Sequence, residues 1–353
     1  MKRIFNIFTI ATALFATSCI KDDYVKEANY DFKTNYEAFW NLVNENYCYL
    51  GDNYGYTKNV DWYKVYEEMM PQVEKATTEE ELLEIMGKSI DYLKDGHVWL
   101  DTKFKHRGCF TFYYDENGVK YPTNYIPGLV EEKYLSYSYR TRNGFRFGNI
   151  TRGGKTFFYL LHNDFTKEIV PEDLEVMQPH IDKADGFIYD IRTNPGGSAQ
   201  YSLDIAGRFF KEKTQVGYQL VKSGKGYNDL AEPTPLYVVP MSTKQYDWTN
   251  IKTVVLTNRD VYSTANMFAC FMKEAPNATL VGGISGGGGG DPTSFYLPNG
   301  WTVTMSAHRM TLDKNKVHIE PGVEPDFPVT ITDEDIQNKV DSILEKAIEV
   351  LSE

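Results

Sequence analysis

The stretch Thr253-Val254-Val255-Leu256-Thr257-Asn258-Arg259-Asp260-Val261-Tyr262-Ser263 decides the fold, together with the apolar residues 265–272 and the glycines 286–290 that follow it. A short β-branched run bounded by turn residues predicts a strand buried on both faces, and the apolar run predicts a helix. Ser263 stands where the strand passes into the helix. A hydroxyl there lies beside unpaired backbone N–H groups, which suits a nucleophile with an oxyanion site. Serine is equally a favoured N-cap, so this stretch alone leaves both roles open.

Composition and charge place the chain among large globular proteins. Its 353 residues are 42% hydrophobic, 24% charged and 14% aromatic, enough for one large domain and a smaller one. The formal net charge is -12, and no block of lysine and arginine occurs. Because binding to nucleic acid needs a basic patch, we expect no nucleic acid partner.

The first residues have the pattern of a bacterial export signal. Lys2-Arg3 precede an apolar stretch at 4–15 that is too short to span a membrane as a stable helix, and small residues then lead to Cys19. Cys19 stands where bacterial lipoproteins carry their lipidated cysteine. The following Lys21-Asp22-Asp23 resembles a tag that directs some lipoproteins to the outer face of the outer membrane. We therefore predict a lipid-anchored protein of the cell envelope, most simply in the outer membrane, on its periplasmic or surface face.

The remaining cysteines, Cys48, Cys109 and Cys270, are odd in number and lack the spacing of a zinc site. They are predicted to be buried small residues. We expect no metal, no cofactor and no cysteine nucleophile.

Helical and strand patterns divide the chain. Apolar residues recur at helical spacing over 30–95, and Thr78 with Glu81 forms a capping-box start. Gly96 ends this region, so His97 lies at a junction between a helix and a strand.

Hairpins are predicted in the next region, with strands at Phe110–Tyr114 and 134–139. From 156 onward strands and helices alternate, which predicts a mixed or parallel sheet flanked by helices. Residues 212–250 show little periodicity and are predicted to form a surface excursion over the site. A last helix starts at Thr332, and its predicted inward residues are Ile336, Val340, Ile343, Leu344 and Ile348.

The predicted segments are these: a signal peptide at 1–18, a tether at 19–30, a helical subdomain at 31–100, a β-rich connecting region at 101–155 and a catalytic domain at 156–353.

Three further motifs accompany Ser263 in the chain. They are Leu93-Lys94-Asp95-Gly96-His97-Val98, then Asp190-Ile191-Arg192-Thr193-Asn194-Pro195-Gly196-Gly197, then Glu320-Pro321-Gly322-Val323-Glu324-Pro325-Asp326. In this order, over roughly 35–350, they resemble the tail-specific, or C-terminal-processing, serine peptidase family. The resemblance implies an α/β fold, with a crotonase/Clp-like βαβ superhelix as the catalytic domain. No PDZ-like segment is evident between the first two motifs.

The resemblance also implies roles for individual residues. Ser263 would be the nucleophile, but the family's lysine base falls on Gly288 here. The chain is therefore more similar to the tricorn-type branch, in which a histidine is the base, and His97 matches that position. A glutamate near the last motif orients that histidine; Glu320 is our candidate. Glu320 lies one residue off the family spacing, so Glu324 or Asp95 stays open as an alternative.

The oxyanion hole is implied by the same resemblance. Its backbone donors would be Gly196 or Gly197, with Thr264 after the nucleophile. We expect Arg192 and Asp190 to be structural, as an ion pair or loop anchor, and the glycine run 286–290 to form a flexible rim of the substrate groove.

The predicted function is a serine endopeptidase that cleaves peptides or unfolded protein segments. A rival hypothesis is a catalytically silent binding module for a peptide or a glycan, because Gly288 and Asn266 depart from the family pattern. A third is hydrolysis of a non-peptide ester or lactam by the same groups. Whether His97 lies within hydrogen-bond reach of Ser263 discriminates the first two.

Overall fold

The computed structural model describes residues 31–51, 60–109, 113–115, 117–241 and 246–353. The predicted signal peptide, the tether with Cys19, and Phe110-Thr111-Phe112 of one predicted strand lie outside these ranges. Within them, no helix is both long enough and apolar enough to cross a bilayer.

The helices of the described ranges are α1 Phe32–Asn46, α2 Trp62–Val73, α3 Glu79–Asp91, α4 Pro171–Ile181, α5 Ala199–Ala206, α6 Thr264–Met272, α7 Asp333–Gln337 and α8 Ser342–Ser352, with a π-helical turn at Val130–Tyr134. The strands are β1 Trp99–Asp101, β2 His106–Gly108, β3 Tyr139–Arg142, β4 Phe145–Arg152, β5 Lys155–His162, β6 Gly186–Asp190, β7 Thr214–Val221, β8 Thr234–Val238, β9 Thr253–Thr257, β10 Ala278–Gly282, β11 Gly290–Tyr296, β12 Thr302–Leu312 and β13 Phe327–Pro328.

A seven-stranded sheet in the order β13-β10-β9-β6-β5-β4-β3 positions the site. The strands from β13 to β5 run parallel, and β4 and β3 extend the sheet antiparallel. The predicted strand β9 lies between β6 and β10 and is buried at every position. Helices cover both faces, as expected for a parallel sheet: Tyr189 and Val255 share a core with residues of α4, α5 and α6, whereas Ile188 and Val254 share one with residues of α8. The α/β class is therefore confirmed.

A second, antiparallel sheet has the order β2-β1-β12-β7-β8, with β11 also paired to β12. Helices α1 to α3 pack on it, and Tyr36, Trp62 and Met305 belong to one core cluster. The predicted capping box of α3 is confirmed, with Thr78 Oγ1 accepting from Glu81 N at 3.2 Å. The predicted domain boundaries stay predictions; β4 and β5 form one hairpin across residue 155.

The prediction of a surface excursion at 212–250 is wrong. This range contributes β7 and β8, whose Val216 and Val238 are fully buried in the main core. None of its described residues lines the cavity at Ser263. The sequence did not show the alternation typical of strands here, because the register of β7 and β8 shifts between Gln215 and Gly217. This shift interrupts the alternation of buried and exposed side chains.

Two predicted elements differ at their ends. In the range 134–139 the backbone is not a strand, because Ser136 and Tyr137 have φ of 47° and 58°, and β3 begins only at Tyr139. The last helix is divided into α7 and α8, with a separate N-cap at Asp341 for the second. Ile336 is consequently 52% exposed rather than inward, while Ile343, Leu344 and Ile348 are buried.

The structural role predicted for Asp190 and Arg192 is confirmed. Arg192 is fully buried between two carboxylates: its Nη2 lies 2.7 Å from Asp190 Oδ2 and 2.9 Å from Asp341 Oδ2. Asp341 also caps α8 through Leu344 N at 3.0 Å. Arg192 thus ties the end of β6 to the start of α8.

Candidate active site

Ser263 begins α6 in a strained backbone conformation. Its φ is 55° and its ψ is −125°, and its N–H donates to the Gly287 carbonyl at 2.8 Å. Residues with a Cβ rarely adopt positive φ, and such strain is concentrated at functional sites. Ser263 makes no side-chain capping bond, so the alternative role as an ordinary N-cap is wrong. The hydroxyl is left unengaged within the described part of the chain.

The glycine pair packs directly on Ser263. A Cβ on Gly196 would lie 2.9 Å from Ser263 Cβ and 2.9 Å from Thr264 N. Both distances are too short for non-bonded contacts, so a larger residue would not fit here. The Gly196 N–H already donates to Asn194 Oδ1 at 2.9 Å. The N–H groups of Gly197 and Thr264 donate to no described residue, and both residues line the cavity beside Ser263. Of the three predicted oxyanion donors, Gly197 and Thr264 are available and Gly196 is not.

The cavity beside Ser263 has a volume of about 700 Å³. Its walls are the start of α5, Met267 of α6, the glycines 288–290, the first half of β11 and residues 307–309 of β12. Two parts of the chain far apart in sequence therefore enclose the space in front of the hydroxyl. Such a concave site at the carboxyl edge of parallel strands is where ligands bind in α/β folds.

The glycine run lines this cavity, as predicted for a groove rim, but it is tightly packed. A Cβ on Gly287 would lie 1.9 Å from the Glu320 carbonyl oxygen, and one on Gly288 would lie 2.7 Å from Tyr262 Cζ and 2.9 Å from Ser263 N. A lysine at residue 288 therefore has no room in this backbone.

Replacing Gly288 by alanine is expected to destabilise the protein by more than its backbone strain alone. Gly300 is a matched control, because its φ of 84° is close to the 79° of Gly288 but nothing lies within 4 Å of its Cβ position. We expect Gly300→Ala to cost roughly 1–2 kcal/mol of unfolding free energy, and Gly288→Ala to cost more, by urea denaturation. Equal costs for the two variants would contradict the close packing at residue 288.

His97 is buried against Tyr262, the residue before Ser263. It is 6% exposed, and its ring makes an edge contact with Tyr262, with ring centroids 4.9 Å apart. Its Nδ1 has no hydrogen-bond partner among the described residues. No hydrogen bond joins His97 to Ser263 in the described structure. The two predicted residues are thus brought into one neighbourhood without the expected bond.

Asp95 is the carboxylate most closely tied to His97. It is 1% exposed and its Oδ1 accepts from the His97 backbone N–H at 2.7 Å. Its other oxygen accepts from Ser306 Oγ at 2.7 Å and from Tyr47 Oη at 3.1 Å. Asp95 therefore fixes the loop that carries His97, although it does not bond to the imidazole itself.

Glu320 supports the glycine run in this structure. Its Oε2 accepts from Gly289 N at 2.7 Å, and no bond to His97 is found among the described residues. Burial and the nearby Asp95 carboxylate raise the pKa of Glu320 well above its ordinary value. Glu324, the other alternative, is exposed and lines a separate cavity. Its position removes it from the predicted site.

Burial lowers the pKa of His97, although Asp95 and Asp291 act in the opposite direction. The imidazole therefore stays neutral, and competent as a base, to a lower pH than an ordinary histidine. We expect the acid limb of the kcat/KM profile to have its midpoint below about 6.5. Glu320→Gln should leave that midpoint unmoved, because Glu320 bonds to Gly289 N and the carboxylates that act on the imidazole are Asp95 and Asp291. A midpoint above the ordinary histidine value would contradict the assignment.

Several residues near the cavity were not found from the sequence. Asp291, His308 and Arg309 line it, and Tyr262 contacts His97. Asn266, which replaces an acid of the family, is buried and donates to Ile319 O at 2.9 Å. Tyr262 could have been found from the sequence, because it directly precedes Ser263. The residues of β11 and β12 could not, because these strands reach the site only through sheet pairing.

Comparison with known proteins finds two families whose models match parts of this chain. The family described as peptidase family S41 matches residues 158–329, and the tricorn protease C1 domain matches residues 28–90. The carboxyl-terminal-processing protease of Picosynechococcus sp. is 28% identical over 184 residues, covering 50% of this chain and 41% of that protein. The chain thus spans about two fifths of the length of that curated relative.

Solved structures extend the likeness to nearly the whole chain. Mature CPAF superposes with a TM-score of 0.65 at 13% identity, covering 91% of this chain and 96% of that one, a likeness of fold. A protein of Parabacteroides merdae described as a candidate peptidase superposes with a TM-score of 0.82 at 35% identity, covering 92% of this chain and 97% of that one. At that identity and coverage, and with the family match across the sheet that carries Ser263, the chain belongs to peptidase family S41, the tail-specific serine peptidases.

Proposed function

We propose that this chain is a serine endopeptidase in which Ser263 forms the acyl-enzyme and His97 is the general base. The observation that carries the proposal is the strained Ser263 at the start of α6, which lines a cavity with the unpaired N–H groups of Gly197 and Thr264. A free hydroxyl beside two convergent backbone donors is the arrangement that acyl transfer requires.

The chemical steps follow from this arrangement. Ser263 Oγ attacks the peptide carbonyl carbon while His97 takes the hydroxyl proton, and Gly197 and Thr264 N–H groups stabilise the oxyanion. The C–N bond then breaks as His97 returns the proton to the leaving amine. A water molecule gives a proton to His97 and attacks the ester carbonyl; the bond to Ser263 Oγ then breaks as His97 returns that proton to Oγ, which releases the new carboxylate and restores both residues.

The bond between Ser263 and His97 would form when substrate enters. Catalytic hydrogen bonds are often long or poorly aligned before substrate binds and tighten only in the complex. The third member of the site stays a choice between Asp95, which holds the His97 backbone, and Glu320, which holds Gly289.

Peptides and unfolded protein segments are the proposed substrates. The curated relative named above is a carboxyl-terminal-processing protease, and the cavity is lined by both glycines and polar side chains. We also propose that Cys19 is lipidated and that the protein lies in the cell envelope, because the amino-terminal sequence has the pattern of a lipoprotein export signal.

A second candidate function is a binding module that retains the groove without turnover. The absence of a Ser263–His97 hydrogen bond among the described residues favours it. Hydrolysis of an unfolded, fluorescently labelled protein decides between the two. We expect cleavage by the wild type and by Ser198→Ala, whose serine lines the same cavity, and none by Ser263→Ala. Binding of that protein without cleavage by the wild type would establish the second function instead.

A further inference from the structure

Tyr262 is held rigidly between the nucleophile and the parallel sheet. Its N–H donates to Asn194 O at 3.2 Å, and its carbonyl accepts from Ala265 N at 3.0 Å. A parallel bridge joins it to Gly287. The orientation of its side chain is therefore set by the same backbone that sets Ser263.

The side chain of Tyr262 contacts both His97 and the carboxylate behind it. The ring packs edge-on against the imidazole at a centroid distance of 4.9 Å and an interplanar angle of 61°. The hydroxyl donates to Asp95 Oδ1 at 3.1 Å, the same oxygen that accepts from His97 N. Burial raises the pKa of Tyr262 well above its ordinary value, so the hydroxyl remains a donor.

The Tyr262 side chain is partly buried and packs against the glycine run. The ring approaches the Cβ position of Gly288 at 2.7 Å, so it occupies the volume between the glycine run and His97. The charged groups that act on the imidazole are Asp95, on its own loop, and Asp291 of β11. Tyr262 thus covers the part of the imidazole that it contacts, while its hydroxyl holds Asp95.

We propose that Tyr262 is a positioning residue for the base: its ring fixes the orientation of the His97 imidazole, and its hydroxyl fixes Asp95 beneath the His97 loop. The consequence for turnover rests on the proposed function. The consequence for the ionisation of His97 does not, because it depends only on what surrounds the imidazole.

Two substitutions separate the contributions of the ring and the hydroxyl. Tyr262→Phe keeps the ring and removes the hydroxyl, and Tyr262→Leu removes the ring as well. Tyr36→Phe and Tyr36→Leu are matched controls, since Tyr36 is fully buried and its hydroxyl bonds to Ser89 Oγ at 3.0 Å in another core. The first measurement is NMR titration of His97 in the Ser263→Ala background, with the resonance identified by its loss in His97→Gln.

We expect Tyr262→Leu to raise the titration midpoint of His97 toward about 6.5, because water gains access to the ring. The Tyr36 variants should leave that midpoint unchanged. A titration midpoint of His97 in Tyr262→Leu that equals the parent value would overturn the proposal. Tyr262→Phe is the control for folding, because it conserves the packed volume of the ring.

The second measurement is steady-state hydrolysis. Tyr262→Phe should lower kcat by roughly tenfold to a hundredfold with little change in KM, as expected when a catalytic group is slightly misplaced. An unchanged kcat in Tyr262→Phe would overturn the role of the hydroxyl. If the wild type does not hydrolyse peptides at all, the proposed function fails, and the NMR titration still decides whether Tyr262 controls His97.

Discussion

Alanine at residue 263 is expected to reduce kcat for peptide hydrolysis by on the order of 10⁶-fold while the protein stays folded. The activity is lost because the substitution removes the hydroxyl that would form the ester. The fold is kept because the Ser263 side chain makes no capping bond, and its backbone is held by Gly287 and Met267 rather than by the hydroxyl. Equal thermal unfolding of the two proteins, with activity measured on one peptide, tests both parts.

His97→Ala should cost about as much as Ser263→Ala, and the double variant little more than either, because nucleophile and base act as one unit. Additive losses would mean that the two residues act in separate steps. Ser198→Ala is the control for changes in cavity shape. Turnover in Ser263→Ala at the wild-type rate would show that Ser263 is not the nucleophile.

Replacing Arg192 by methionine is expected to give the largest loss of stability, about 3–5 kcal/mol. The guanidinium is fully buried between Asp190 and Asp341, and both carboxylates are fully buried too. Methionine fills much of the volume but leaves two buried negative charges facing each other without a cation. The expected loss is a large fraction of the total stability of a typical domain, so urea denaturation measures it directly.

The matched control is Arg152→Met. Arg152 pairs with Glu345 of the same helix α8 at 3.2 Å, but its side chain is 52% exposed. An exposed pair contributes between about 0 and 1 kcal/mol, so this variant should be close to wild type. Similar losses in the two variants would show that the buried triad does not stabilise the junction of β6 and α8.

The local sequence pattern was sufficient to predict the strand before Ser263 and the helix after it. The run Thr253–Thr257 is apolar at every central position because β9 is covered on both faces, and Ser263 follows it at the only kind of junction where a hydroxyl meets free N–H groups. The glycine pair was placed by the family resemblance, and the structure supplies a reason for it, since a Cβ on Gly196 would meet Ser263. Which of the two N–H groups is free depended on Asn194, a contact that spacing cannot show.

Long-range pairing explains what local pattern could not predict. The strands β7 and β8 are stabilised by each other and by β12, so the tyrosines and prolines of 212–250 gave no clear periodicity. The cavity walls at β11 and β12 arise from pairing between strands that lie far along the chain from His97. Glu320 was placed by resemblance, and the structure brings it to Gly289, while Asp95 lies beneath His97.

The most direct test of the account is mass spectrometry of the protein after reaction with a fluorophosphonate, which labels only an activated serine. The account predicts one adduct, located on Ser263 by peptide mapping, retained in Ser198→Ala and absent in both Ser263→Ala and His97→Ala. An adduct on another serine, or none on folded wild-type protein, would contradict the claim that Ser263 is a nucleophile activated by His97.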